Sequence, residues 1–276
     1  MNISDLRLPA RQAKASAGPQ RGSFDLPFFV LTLLLLAIGV IMVLSSSFAR
    51  AYAQGKSPTY YFVRQAGFAV AGVVGMILFS NVRMATYRRW SLALLGVSIF
   101  LLAIVWIPHI GTRVNGARRW LSLGFTTFQP SEIAKIAVVL FFSSMICTYK
   151  EQMQTFRYGV VPFALILLVI CGLVALEKHF SCILILLTIG ASMMFLGGTD
   201  LKWFGYGAIA VGVFAFLYLK FMGYASARVT AWRDPASDPA GDGYQILQSL
   251  YAIGSGGLMG LGLGRSRQKY LYLPEE

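Results

Sequence analysis

Apolar and polar positions fall in long alternating blocks along this chain. From residue 25 to residue 221, runs of about 20 mostly apolar residues are separated by polar intervals. That length is what a helix needs to cross a bilayer. The pattern predicts spans at 27–48, 62–81, 90–108, 131–149, 158–176, 181–198 and 203–221. Seven such spans make an all-α, polytopic membrane helix bundle over 25–221. Residues 1–24 are polar, basic and rich in Gly, Pro, Ser and Ala, which predicts a disordered cytoplasmic tail. The first span is too long for a signal-peptide core, and Ser45-Ser46-Ser47 is a poor cleavage site. After residue 222 the apolar pattern stops, so 222–276 is expected to form a large extracytoplasmic loop.

Composition supports the membrane class: mean hydropathy is +0.65, with 57% hydrophobic and only 13% charged residues. The net charge is +13. It is spread over loops without any nucleic-acid fold signature, so anionic lipid is the expected partner and nucleic acid is not. Cys147, Cys171 and Cys182 lie in or at the ends of spans without metal-ligand spacing and read as packing residues.

Charge also gives an orientation. Arg7, Arg11, Lys14 and Arg21 in the tail, Arg83, Arg88 and Arg89 in one loop, and Lys150 and Arg157 in another belong on the cytoplasmic side. The opposite loops then hold Arg113, Arg118, Arg119, Arg228, Arg233, Arg265, Arg267 and Lys269. The positive-inside tendency does not favour so many external cations. They face either an anionic ligand in the outer leaflet or lipid phosphates in general.

Two segments carry candidate chemistry. Residues 111–135 read GTRVNGARRWLSLGFTTFQPSEIAK. Gly111–Gly124 reads as a loop with Trp120 at the interface, and Pro130 suits the first turn of a helix. Glu132 and Lys135 are three apart, so they share a helix face, as a structural ion pair or as the polar floor of a cavity. The second segment, WRDPASDPAGDGYQILQS at 232–249, holds Asp234, Asp238 and Asp242, three of the chain's eleven acidic residues. Proline and glycine there exclude regular helix and fix turns. A short interfacial helix at 243–252 and a flexible glycine-rich stretch are expected to follow.

GARRWLSLG at 116–124, QPSEIAK at 129–135, DPAGDGYQILQSLYAIGSGGLMGLGLG at 238–264 and SRQKYLYLPE at 266–275 strongly resemble the SEDS family of FtsW, RodA and SpoVE type. With the hydropathy profile, the resemblance covers essentially everything after residue 24, and SRQKYLYLPE is closer to the FtsW/SpoVE branch. It implies an inverting peptidoglycan glycosyltransferase of the bacterial cytoplasmic (inner) membrane, multi-pass, with its N-terminus cytoplasmic. Such a protein polymerises lipid II, the undecaprenyl diphosphate-linked precursor, at the outer face of that membrane. The implied partners are a class B penicillin-binding protein and other divisome membrane proteins.

Asp238 occupies the family's acid/base position, followed by Pro239, Gly241, Gly243, Tyr244 and Gln245. A carboxylate there can serve as general base toward a sugar hydroxyl. Arg113, Arg118, Arg119 and Arg233 would neutralise the departing diphosphate. Glu132, Lys135, Tyr244, Gln245 and, secondarily, His179 complete the expected substrate-binding set. Asp234 and Asp242 read as turn-formers, and His109 as inert. No cofactor is assigned from the residues; a divalent cation such as Mg2+ could bridge Asp238 and diphosphate, although Asp at i, i+4, i+8 around prolines is no known ligand cage.

The chain departs from the family twice. At 176–182, LEKHFSC has Lys178 where relatives carry proline, although Glu177 and His179 fit the pattern. The chain also ends at Leu273-Pro274-Glu275-Glu276, where the family continues into three more spans, so seven of an expected ten are present and a C-terminally truncated sequence is expected. A lipid II transporter (flippase) and a non-catalytic division scaffold are the alternative readings. Spans 1, 5 and 7 hold almost no polar residues, which favours surface chemistry over transport.

Overall fold

The structure, a computed structural model, describes residues 24–107, 111–114, 117–122, 124, 126–177, 179–221, 229–262, 264–270 and 272. The N-terminal tail before Phe24, His109, Lys178, Arg228 and the final 273–276 segment lie outside the described residues.

All seven expected spans are helical. They are α1 (Leu26–Ala53), α2 (Tyr60–Ser80), α3 (Met84–Ile104), α4 (Pro130–Tyr149), α5 (Val161–Leu176), α6 (Phe180–Leu196) and α7 (Leu201–Phe221). Among the described residues, five helices are long and apolar enough to cross a membrane, and the α6 and α7 segments are shorter apolar helices. α1 starts where Asp25 accepts the Phe28 N–H at 3.0 Å and Pro27 occupies the first turn. α3 begins six residues before the apolar run expected from 90. Its first turns carry Arg88 and Arg89, whose long stems can lie along apolar surface while their charged heads reach polar groups. The Arg88 guanidinium donates to the Thr148 hydroxyl of α4 at 3.2 Å. Between α4 and α5 the expected loop is instead tightly wound, as a 3-10 turn (Lys150–Gln154) and a π-type turn (Phe156–Val160).

The other difference lies between α3 and α4. The segment read as a loop holds three antiparallel strands, β1 (Gly111–Val114), β2 (Ala117–Ser122) and β3 (Thr127–Phe128), in the order β1-β2-β3. Val114 pairs with Ala117, so Asn115-Gly116 is the intervening dipeptide, and Asn-Gly is the strongest short hairpin signal a sequence offers.

The chain divides into two compact units, one of residues 75–234 and one of residues 1–74 with 235–276. In the first, α3 packs on α4, and α6 packs on both α4 and α5. Leu95, Leu102, Ala134, Ala137, Val138, Phe163, Ile170, Val174 and Leu186 are buried between them. Ala134 and Ala137 let backbones approach closely, as packing between membrane helices requires, and Phe142 meets Phe163 edge-on at 4.8 Å between centroids. Cys182 joins this core, Cys171 is half-buried and Cys147 is exposed, all as free thiols. The second unit holds α1, most of α2, a 3-10 turn (Pro235–Ser237) and α8 (Tyr244–Gly256). α8 runs four residues beyond the helix expected to end at 252.

Candidate functional site

At one end of the 75–234 unit, side chains from β2, the start of α4 and the α5–α6 turn converge. The Glu132–Lys135 pair forms as its spacing predicts, with Nζ 2.8 Å from Oε2. Glu132 lies in the first turn of α4, where a carboxylate also suits the helix dipole. Beside it, the Gln129 amide donates to the Ser131 hydroxyl at 2.9 Å and to Nδ1 of His179 at 2.9 Å. An amide nitrogen can only donate, so Nδ1 accepts and the ring proton sits on Nε2. Burial lowers the His179 pKa below its ordinary value. Arg119 and Lys135 push the same way and Glu132 opposes them.

Arg119 reaches across from β2. Its Nε donates to the main-chain oxygen of Glu177 at 3.1 Å. Glu177 is the C-cap of α5, where carbonyls lack helical partners and cations are favoured. Its own side chain is 1% exposed, and neither carboxyl oxygen has a hydrogen-bond partner among the described residues. Burial raises its pKa to about 8, even against the nearby Arg119 cation. Such a group is a carboxylic acid at neutral pH, because an unpaired charge there costs several kcal/mol.

Arg118 is half-buried on β2. Arg113 pairs with it in register from β1, and the Arg113 side chain lies outside the described residues. Arg233 is exposed near the end of the same unit.

Asp238, Tyr244 and Gln245 belong to the other unit. The exposed Asp238 carboxylate is gripped by the turn that follows it: Oδ1 accepts the Gly241 N–H at 3.0 Å and Oδ2 the Asp242 N–H at 3.1 Å. The Asp238 carbonyl accepts the Gly243 N–H at 3.1 Å. Gly243 is dictated by this packing, and Gly241 leaves room for the Asp238 carboxylate. A Cβ on Gly241 would overlap the Asp238 carboxylate, and one on Gly243 would overlap the Pro235 and Asp238 carbonyl oxygens. Each carboxylate oxygen has a second lone pair, so Asp238 is oriented by the backbone and can still accept a proton. The turn feeds Tyr244 and Gln245 into the first turn of α8. Among the described residues no three His, Cys, Asp or Glu side chains group so as to hold a metal.

Sequence reasoning paired Glu132 with Lys135, kept His179 only as a secondary member of a set that also held Tyr244 and Gln245 of the other unit, and read turns around Asp238. It took Glu177 only as part of a motif, and it missed Gln129 and Ser131 as the groups that fix the imidazole.

The family model for cell cycle proteins of the FtsW/RodA/SpoVE type matches residues 25–276. Stage V sporulation protein E of Bacillus subtilis is 37% identical over 93% of this chain and 70% of its own length. A probable peptidoglycan glycosyltransferase FtsW of Trichlorobacter lovleyi is 35% identical over 91% of this chain and 66% of its own. The chain thus spans about two thirds of the length of these relatives. Its fold is similar to a chain solved in a peptidoglycan synthase complex that coordinates polymerization and crosslinking, at TM-score 0.62 and 28% identity, over 83% of this chain and 66% of that one.

Proposed function

We propose that this chain, which belongs to the FtsW/RodA/SpoVE family of cell cycle proteins, serves as a peptidoglycan glycosyltransferase that polymerises lipid II. The observation that carries this reading is the Asp238 turn: a carboxylate on an exposed loop, held by backbone N–H groups and accessible to a substrate. Asp238 takes the proton from the attacking sugar hydroxyl as that oxygen bonds to the anomeric carbon of the donor. The bond from that carbon to the diphosphate breaks, and its electron pair leaves with the diphosphate. One direct displacement inverts the anomeric centre, and a diphosphate leaving group needs no second protein acid, unlike a glycosidic oxygen.

Arginines on β1 and β2 and Arg233 offset the charge gathering on the departing diphosphate. Glu132, Lys135, His179, Tyr244 and Gln245 are assigned to substrate binding. This chemistry requires 222–276 to face the outer side of the cytoplasmic membrane, with the N-terminus cytoplasmic. A class B penicillin-binding protein and other divisome proteins are the partners assigned to it, in keeping with its likeness to one chain of a peptidoglycan synthase complex.

The test is lipid II polymerisation in detergent by the full-length protein with its partner. Asp238→Asn should lower the rate by roughly 100- to 10,000-fold, the usual worth of a general base, while Asp234→Asn should stay within a few-fold of wild type. Normal polymer from Asp238→Asn would refute the mechanism. No polymer from wild type would bring the transport reading forward.

A further inference from the structure

Glu177 has no part in the reaction just described, yet its surroundings are specific. It sits where α5 ends, and β2 and α6 bring Arg119 and Cys182 near it. Arg119 bonds its main-chain oxygen at 3.1 Å. Ser131, Glu132 and Lys135 of α4 group with His179 and Cys182 in the adjoining polar cluster. β2 itself packs on α4. The Glu177 carboxyl is buried, and neither oxygen has a hydrogen-bond partner among the described residues.

A side chain so placed should affect where Arg119 rests. The carbonyl that accepts from Arg119 Nε and the carboxyl beside it belong to one residue, so they compete for one guanidinium. Uncharged, the carboxyl is the weaker acceptor, and the guanidinium stays on the carbonyl at the end of α5. Ionised, the carboxylate is a much stronger acceptor for an arginine and draws it away. We propose that Glu177 is a positioning residue for glycosyl transfer: its buried side chain sets the pose of Arg119, and with it the docking of β2 against the start of α4.

The activity part of this proposal rests on the glycosyltransferase reading; the geometric part does not. Burial holds the carboxyl protonated up to about pH 8, so the pose of Arg119 should change as pH rises through that value. His179 is already neutral, so it does not titrate there.

The decisive experiment follows the Arg119 Nε–H resonance by NMR in full-length protein in detergent, across pH, in wild type, Glu177→Gln and Glu177→Ala. Infrared spectra report the protonated carboxyl in the same samples, and lipid II polymerisation is measured in parallel. In wild type the resonance should shift together with loss of the carboxyl band near pH 8. Glu177→Gln should keep the low-pH resonance throughout and show no titration. Glu177→Ala keeps the main-chain acceptor and removes the competing carboxyl, so it too should keep the low-pH resonance, whereas wild type above about pH 8 should polymerise roughly ten-fold more slowly than either variant, the effect of displacing one charge-assisted hydrogen bond. A wild-type resonance indifferent to pH overturns the proposal. So does an alkaline profile of polymerisation that is the same in wild type and Glu177→Gln. If the resonance behaves as expected and wild type makes no polymer, the positioning role stands and the glycosyltransferase reading fails.

Discussion

Two acidic turns, one in each compact unit, treat a carboxyl group in opposite ways. Asp238 is exposed, and both its oxygens accept backbone N–H groups three and four residues on. Glu177 is sealed, and neither of its oxygens is bonded among the described residues. The first is oriented by its own backbone and keeps lone pairs open to a proton donor. The second is kept uncharged by its surroundings and acts on a neighbour. An acidic residue in a loop is therefore defined by what the adjacent backbone offers it. Glycines that let N–H groups approach make an acceptor, whereas a helix end packed on other helices makes a neutral acid.

The most severe way to break the contrast is Gly241→Ala. The added Cβ would collide with the tip of the Asp238 side chain, which is free to swing aside. Stability should change by less than about 1 kcal/mol, as for most exposed substitutions without a buried consequence. Polymerisation should fall about as far as in Asp238→Asn, by roughly 100-fold or more. Gly243→Ala makes the comparison sharper, because there the collision is with the Pro235 and Asp238 carbonyl oxygens. It should lower stability as well as rate, seen in thermal unfolding beside the activity assay.

Next in size is the pH dependence of stability. The Glu177 pKa is raised from its ordinary value of 4.5 to about 8 in the folded protein. Between those values the folded state holds a proton that the unfolded chain has released, so stability is highest below about pH 4.5, falls as pH rises, and levels off above about 8. Each pKa unit is worth about 1.4 kcal/mol, which makes the decline a few kcal/mol. Thermal unfolding of wild type and Glu177→Gln across this range should show the slope in wild type alone. Parallel curves would mean that Glu177 is ionised and solvated.

Why one turn was legible in the sequence and the other was not follows from the same contrast. Asp238 and its glycines are neighbours in the chain, so the pattern DPAGDG already states the geometry: a carboxylate followed at i+3 and i+5 by residues without Cβ. Glu177 depends on Arg119, 58 residues away, and on packing among α4, α5 and α6. Nothing local distinguishes a buried acid at a span end from a solvated one. The seven helices were legible because apolar length alone determines them. The β1–β2 hairpin carried a signal in Asn115-Gly116, but its flanking residues, TRV and ARRW, lack the clean apolar alternation that marks a strand.

A smaller effect should come from Arg119→Lys. Lysine keeps the charge and loses the planar Nε–H that reaches the Glu177 carbonyl. One such bond is worth about 1–3 kcal/mol, so moderate destabilisation is expected. The pKa of His179 should change little, because a cation remains. Arg119→Ala, which removes the cation, should raise the pKa of both His179 and Glu177, since Arg119 now lowers each. Side-chain NMR titrations of the two variants would separate charge from geometry. Equal shifts in both would mean that Arg119 acts only through its bond.

The smallest stability effect should come from the Glu132–Lys135 pair, and that smallness makes it informative. Nζ and Oε2 are 2.8 Å apart, but the Glu132 side chain is 56% exposed and Lys135 is 24% exposed. Water screens a pair so placed, and such pairs contribute about 0–1 kcal/mol. Lys135→Met should therefore leave unfolding almost unchanged. If the pair is only structural, polymerisation should be just as indifferent. A ten-fold or larger rise in KM for lipid II with unchanged stability would assign Lys135 to the substrate. Equal loss of stability and rate would instead make the pair part of the scaffold around Glu177.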